Sequence, residues 1–309
     1  MKDPNFFIVG APKCGTTSLS VYLREHPKVF FCSPKEPYYF ATDFPIHRRV
    51  SNAASLEQYR ALFADATTEH LAVGEGSAGY LYSADAIPRI MAFNSNAKLI
   101  VMLRNPIDIA HAMHSQALFD GDEDEQDFET AWHLQAERER GAKLPRRCRN
   151  PTVVLYKRLA SVGEQFERLY RHASKQQVHI VMLDDLIRTP QTVYERVCEH
   201  LSIPPDGRTE FTAQNESKRH RFGIVGRIVQ QPPQFMVRGA LSVKRLFGIQ
   251  RFGLAEAIER VNVVRWRRPA MTPELRRLLA DEFREDVGKL SAILQTDLSK
   301  WLHCESKAA

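Results

Sequence analysis

Residues 10–17 read Gly-Ala-Pro-Lys-Cys-Gly-Thr-Thr: two glycines with four residues between them, a lysine inside the turn and two hydroxyls after it. Backbone N–H groups of such a turn, and of the helix it opens, have no intrahelical partners and converge on a bound anion. The spacing is that of a phosphate-binding loop, G-x-x-x-x-G-K-[ST], except that Thr16 stands where the lysine is expected. A threonine cannot supply that charge. Lys13, reaching out from within the turn, would instead sit beside whatever is attached to the bound phosphate. The apolar run "KLIVMLRN" ends in Arg104-Asn105, where a magnesium-dependent nucleotide site would have an acid, so the loop is read as metal-free.

Two further places could do chemistry. Lys35-Glu36 stands between Pro34 and Pro37, a charged pair whose backbone is restricted on either side. Arg104, at the end of an apolar run, offers a two-pronged guanidinium. His111 and His114 are spaced i, i+3, but with no acid or cysteine near them in sequence they are read as a helix face rather than a metal site. "DGDEDEQDFETA" (120–131) begins like a calcium loop, yet has Glu125 and Ala131 where glycine and glutamate are needed; it is read as a solvated acidic loop.

Elements that would position these residues follow from the apolar patterning. Short apolar runs at 6–10, 29–31, 70–82 and 97–106 read as strands, the third running into a loop and the fourth ended by Pro106; 178–186 reads as a fifth. Helical spacing recurs at 16–25, 106–118, 127–140, 153–173 and 189–201. Within 153–173, Leu155, Leu159, Val162, Phe166, Leu169 and Tyr170 share one face. Thr272-Pro273-Glu274 opens a last helix with Thr as N-cap and Pro at N1, and Leu275, Leu278, Leu279, Phe283 and Val287 form its apolar stripe. Strands alternating with helices predict an α/β fold: a three-layer, P-loop-type domain with a central, mostly parallel sheet flanked by helices. In such sheets ligands bind at the carboxyl ends of the strands.

The chain has 309 residues, 43% hydrophobic and 26% charged, with a formal net charge of +6. That composition excludes a disordered chain and favours anionic partners. Five scattered cysteines without a C-x-x-C pair, and no apolar run long enough to span a membrane, predict a cytoplasmic protein. From Ser217 to Ala255 there is no acid and there are eight basic residues. Interleaved apolar residues suit this stretch to an anionic membrane surface or an acidic glycan, while Gly223, Gly226, Pro232, Pro233, Gly239 and Gly248 break any long amphipathic helix.

"GAPKCGTTSL" resembles the 5′-phosphosulfate loop of sulfotransferases that use 3′-phosphoadenosine 5′-phosphosulfate (PAPS). "VMLRNPIDIAHAMHS" resembles their 3′-phosphate strand and helix, and "SPKEPYYF" the Lys-Glu-Pro segment of the carbohydrate-type members. The likeness extends through "GEGSAGYL", "YKRLASVGEQFERLYRH", "VHIVMLDDLIRTP" and "TDLSKWL", in family order, over nearly all of the chain except roughly 217–270.

The resemblance implies one sulfotransferase domain over 1–309, with 217–270 a basic insertion or cover and 271–302 a helical C-terminal part. It implies PAPS as co-substrate, its desulfated form PAP as product, and no metal. Pro12, Lys13, Cys14, Gly15, Thr16, Thr17 and Ser18 would hold the phosphosulfate, with Lys13 acting on the bridging oxygen. Glu36 would be the general base and Lys35 would orient the sulfonate or keep Glu36 ionised. Arg104 would hold the 3′-phosphate. The family's serine eight residues after that arginine is Ala112 here, so either Ser115, one helical turn on, takes its place or that contact is lost; Lys218, Arg219 and Arg221 would cover the nucleotide. The acceptor would be a hydroxyl of a glycan, lipid or small metabolite, with no nucleic-acid partner; oligomeric state is not readable. Two alternatives stay open: a magnesium-dependent ATP kinase, and a non-catalytic anion- or membrane-binding protein on the same fold.

Overall fold

In the computed structural model, Phe6, Phe7, Ile8 and Val9 are fully buried, as expected of a strand covered on both faces. The structure describes residues 2–44, 53–212, 218–220, 263–265 and 268–303. In chain order the principal elements are β1 (Phe6–Gly10), α1 (Thr16–Arg24), β2 (Val29–Phe31), α2 (Leu56–Ala61), β3 (Ala72–Gly76), α3 (Ala86–Phe93), β4 (Lys98–Leu103) and α4 (Pro106–Asp120). They continue with α5 (Phe128–His133), α6 (Gln135–Glu139), α7 (Tyr156–Ala160), α8 (Val162–Leu169), β5 (Val178–Met182), α9 (Leu183–Arg188) and α10 (Pro190–Leu201). Last come β6 (Lys218–His220), β7 (Val263–Arg265) and α11 (Pro273–Leu294).

The chain divides into two compact units, residues 1–112, 156–214 and 271–309 in the first, 113–155 and 215–270 in the second. The first holds a five-stranded sheet of order β2-β3-β1-β4-β5, with every pairing parallel. After β1 the chain builds β2 and β3 on one side, then crosses to lay β4 on the other. The strand order therefore reverses at the carboxyl end of β1, where an open α/β sheet leaves a crevice for a ligand. Both the 10–17 turn and Arg104 lie there, at the ends of β1 and β4. Asn105 donates through Nδ2 to the Trp301 carbonyl (2.8 Å), fastening the end of β4 to the C-terminal 3₁₀ turn Ser299–Leu302.

Several elements differ from the sequence expectation. The run 178–186 is strand only to Met182. Leu183–Arg188 is helical, because Asp184 and Asp185 favour a helix's first turn over a ladder. Residues 153–173 form not one helix but a 3₁₀ turn (Pro151–Val154), α7 and α8, although Leu155, Leu159, Val162, Phe166 and Leu169 are all buried as expected. The 127–140 helix divides at Leu134. On α11, Thr272 caps as predicted, its side chain accepting from the Leu275 N–H at 3.1 Å. Leu275, Leu279, Phe283 and Val287 are buried, but Leu278 is exposed.

In the second unit the 120–127 loop is not a solvated acidic turn. Asp122 and Glu123 are buried. Arg138 grips Glu123 with both guanidinium nitrogens (2.6 and 2.9 Å), and Arg149 reaches Asp122 at 2.9 and 3.1 Å. An acid-rich string carries no information about arginines 15 and 27 residues away, which is why it reads as solvated. β6 and β7 pair antiparallel in the same unit.

Candidate functional site

The turn after β1 is pinned before it is charged. Ala11 N–H donates to the Met102 carbonyl at 2.7 Å. Gly10 (φ 149°) packs so that a Cβ would meet the Ala78 carbonyl at 2.8 Å and Leu81 at 2.9 Å; at Gly15 (φ 87°) it would meet Leu183 at 2.8 Å. The glycines thus serve close packing against the β3 loop and α9 as well as the open turn they allow. Gly15 is the N-cap of α1, and no side chain caps the helix, leaving the first-turn N–H donors to a ligand.

Lys13 sits within the turn at φ 62°, half-buried, and Arg104 Nη1 donates to its carbonyl oxygen (3.4 Å). Arg104 is also held from behind: its Nη2 lies 3.6 Å from Asp108, which Arg276 approaches at 3.6 Å. The Cys14 side chain is fully buried, and burial pushes its thiol up to about 12 against the pull of Arg104 and Lys13. Cys14 can therefore offer a ligand its backbone, not a thiolate. Thr16 and Ser18 are buried and Thr17 half-buried on the first turn of α1.

The Lys-Glu-Pro segment comes to this turn. Lys35 Nζ donates to Glu36 Oε1 at 2.7 Å and lies 3.5 Å from Thr16 Oγ1. Tyr38 donates its phenol to Glu36 Oε2 at 2.9 Å. Burial, then the Glu36 carboxylate, push that phenol well above its usual range, so Tyr38 is a donor and not a base. The structure thus brings Lys35, with Glu36 bound to it, to Thr16, and Arg104 to the Lys13 carbonyl, two residues of the same turn.

Ser115, on α4, belongs to the second unit, as do Lys218 and Arg219 on β6; Arg221 lies outside the described residues, as does most of the basic 217–255 stretch. Ala112 is buried. His114 is buried too, its Nε2 on the Glu125 carbonyl at 2.9 Å, and burial lowers its pKa; it is a packing histidine. Among the described residues no cluster of His, Cys, Asp or Glu could hold a metal, and no helix is long and apolar enough to cross a membrane.

Sequence reasoning missed Glu75. It lies near the carboxyl end of β3 with no exposure at all, accepting from Tyr59 (2.9 Å), Tyr80 (2.9 Å) and Ser77 (2.7 Å). Burial pushes its carboxyl up to about 7 despite those three donors. The available signal was an acid between two glycines in an otherwise apolar strand.

A family model described as the sulfotransferase domain matches residues 3–222. The membrane-associated sulfotransferase kil1 of Dictyostelium discoideum is 34% identical over 107 residues, 34% of this chain and 21% of that protein. The heparan sulfate glucosamine 3-O-sulfotransferase 5 of Mus musculus is 27% identical over 202 residues, 65% of this chain and 54% of that protein. This chain therefore spans less than two thirds of either curated relative. Among solved structures, a sulfotransferase from Alicyclobacillus acidocaldarius superposes with a TM-score of 0.72 at 25% identity, covering 98% of this chain and 100% of that one.

Proposed function

The chain belongs to the sulfotransferase family, and from that premise we propose that it moves a sulfuryl group from PAPS to a hydroxyl, favouring a carbohydrate acceptor. The observation that carries the reading is Lys35, whose ammonium bonds Glu36 at 2.7 Å while standing 3.5 Å from Thr16 of the anion-binding turn. A carboxylate that could take a proton is thereby tied to the place where a phosphosulfate would be held. The carbohydrate preference rests on the Lys-Glu-Pro segment and on the heparan sulfate relative.

The residues fit such a donor. The uncapped first turn of α1, Thr16, Thr17 and the backbone of residues 13–15 offer neutral donors, and Lys13, Lys35 and Arg104 offer three cations. PAPS, when bound, supplies an electrophilic sulfuryl group on a phosphate leaving group. Lys13 would stand against the charge that develops on leaving, a preorganised cation of the kind that dominates group transfer. Glu36 Oε1 or Oε2 would accept the acceptor's proton; Lys35 orients Oε1 and Tyr38 orients Oε2. Arg104 would take the 3′-phosphate. Ser115, Lys218, Arg219 and Arg221 are proposed to complete the nucleotide's enclosure.

The sulfotransferase relatives lend no support to the ATP-kinase reading. The free Cys14, Cys32, Cys148 and Cys198 support a reducing, cytoplasmic setting.

The test is transfer of labelled sulfate from PAPS, in EDTA, to desulfated heparin, octyl glucoside and p-nitrophenol. Lys13→Ala is expected to lower kcat by roughly 10²–10³-fold and Glu36→Gln by roughly 10²–10⁴-fold with PAP binding retained. No transfer to any of the three and no calorimetric binding of PAP would end the proposal, as would unchanged turnover in Lys13→Ala.

A further inference from the structure

The segment that carries Glu36 is held in an unusual shape. Glu36 (φ 65°) and Tyr38 (φ 53°), on either side of Pro37, both occupy the left-handed region without being glycine. Residues persist there only where their surroundings leave no alternative. The surroundings here are hydroxyls gathered on a buried acid. The Tyr38 N–H donates to Ser77 Oγ at 3.1 Å, and Ser77 Oγ donates to Glu75 Oε2 at 2.7 Å. Ser77 is itself fixed to the central strand, its own N–H donating to the Ile8 carbonyl at 3.0 Å.

A serine hydroxyl has one proton and two lone pairs. An ionised carboxylate only accepts, so in that form Glu75 draws the Ser77 proton towards itself and leaves a lone pair for the Tyr38 N–H. Glu75 is fixed in turn by Tyr59 and Tyr80 at 2.9 Å each. The Tyr80 ring meets the Tyr38 ring edge-on, centroids 6.0 Å apart. At the far end of the same residue, the Tyr38 phenol holds Glu36 Oε2 at 2.9 Å.

We propose that Ser77, its hydroxyl aimed by Glu75, clamps the Tyr38 backbone and through the Tyr38 phenol sets where the Glu36 carboxylate points. Ser77, Glu75 and Tyr38 are positioning residues for the transfer. This rests on reading Glu36 as the base, but its structural part can be tested without that reading.

The experiment uses Ser77→Ala and Tyr38→Phe in the full chain, each small enough to leave the sheet intact, with crystal structures and kinetics on the fastest of the three acceptors above. In Ser77→Ala the Glu36 carboxylate is expected to leave its place beside Lys35 while the 10–17 turn stays; an unmoved Glu36 overturns the clamp whatever the activity. Kinetically, kcat should fall about 10- to 100-fold in Ser77→Ala, as for misplaced reacting groups generally. It should fall about tenfold in Tyr38→Phe, the loss of one charge-assisted hydrogen bond. PAP affinity and acceptor KM should stay within about twofold. Added to Glu36→Gln, Ser77→Ala should cost less than about twofold more, because the group it positions is gone. If it costs its full factor there, Ser77 acts on something else and the clamp is overturned. Failure of the base reading shows separately, as Glu36→Gln at wild-type rate.

Discussion

Glu75 in the first unit and Glu123 in the second are both carboxylates taken out of water, and they are kept there by opposite means. Among the described residues the partners of Glu75 are neutral, the hydroxyls of Tyr59, Tyr80 and Ser77. Glu123 has a full counter-charge, the two-pronged guanidinium of Arg138, with the backbone N–H groups of Asp124 and Glu125 at 3.0 Å each. Hydroxyls solvate a carboxylate without cancelling its charge, so burial still wins at Glu75 and its carboxyl is pushed up to about 7. A guanidinium cancels the charge and commits both partners. The contrast shows that a buried acid's consequences are set by what donates to it: a titrating hub beside the candidate site in one unit, a fixed ionic staple in the other.

The staple is where the largest effect is expected. Arg138→Met takes that guanidinium away from the buried Glu123, and breaking one side of a buried pair costs about 3–5 kcal/mol. Urea unfolding should show that loss, and adding Glu123→Gln should recover most of it. A single variant that costs less than about 1 kcal/mol would mean that Glu123 relaxes into solvent, and the contrast with Glu75 would be broken.

The hub should betray itself through pH. A carboxyl raised in the folded state, from its ordinary 4.5 to about 7, binds its proton more tightly when folded than when unfolded. Its stabilising contribution is therefore complete below about pH 4.5, is lost as pH rises through the window up to about 7, and is flat beyond. Over that window wild type should lose about 3 kcal/mol relative to Glu75→Gln, which cannot titrate and keeps one carbonyl oxygen for the Tyr59 and Tyr80 hydroxyls. Parallel stability–pH curves for the two proteins would mean that Glu75 stays ionised, as a charge-paired acid would.

The difference between the two acids also marks what could be read from sequence. Gly10, Lys13, Gly15 and Arg104 were legible because the turn and the strand end that hold them are local patterns, written in eight or ten consecutive residues. The parallel sheet followed from apolar runs for the same reason. Glu75 and Glu123 were not legible, since the partners that decide their state come from elsewhere: Tyr59 is 16 residues from Glu75 and Arg138 is 15 from Glu123. The break of 178–186 into β5 and α9 was missed because Leu183 and Leu186 fit a buried strand equally well. Asp184 and Asp185 tip them into a helix, where Leu183 closes on Gly15.

A third acid sharpens the comparison with the smallest expected effect. Asp286, half-buried on α11, accepts from the N–H groups of Gly163 and Glu164 at 2.9 Å each, capping α8 from another helix where Ser161 makes no side-chain cap. Its donors are neutral, like those of Glu75, and burial again raises its pKa. Neutral donors need an acceptor more than they need a charge. Asp286→Asn should therefore cost only about 0.5–1 kcal/mol, and Asp286→Ala, which strands both N–H groups, about 1–2 kcal/mol. Should Asn cost as much as Ala in urea unfolding, the charge itself matters to α8 through its helix dipole. Asp286 would then belong with Glu123 rather than with Glu75.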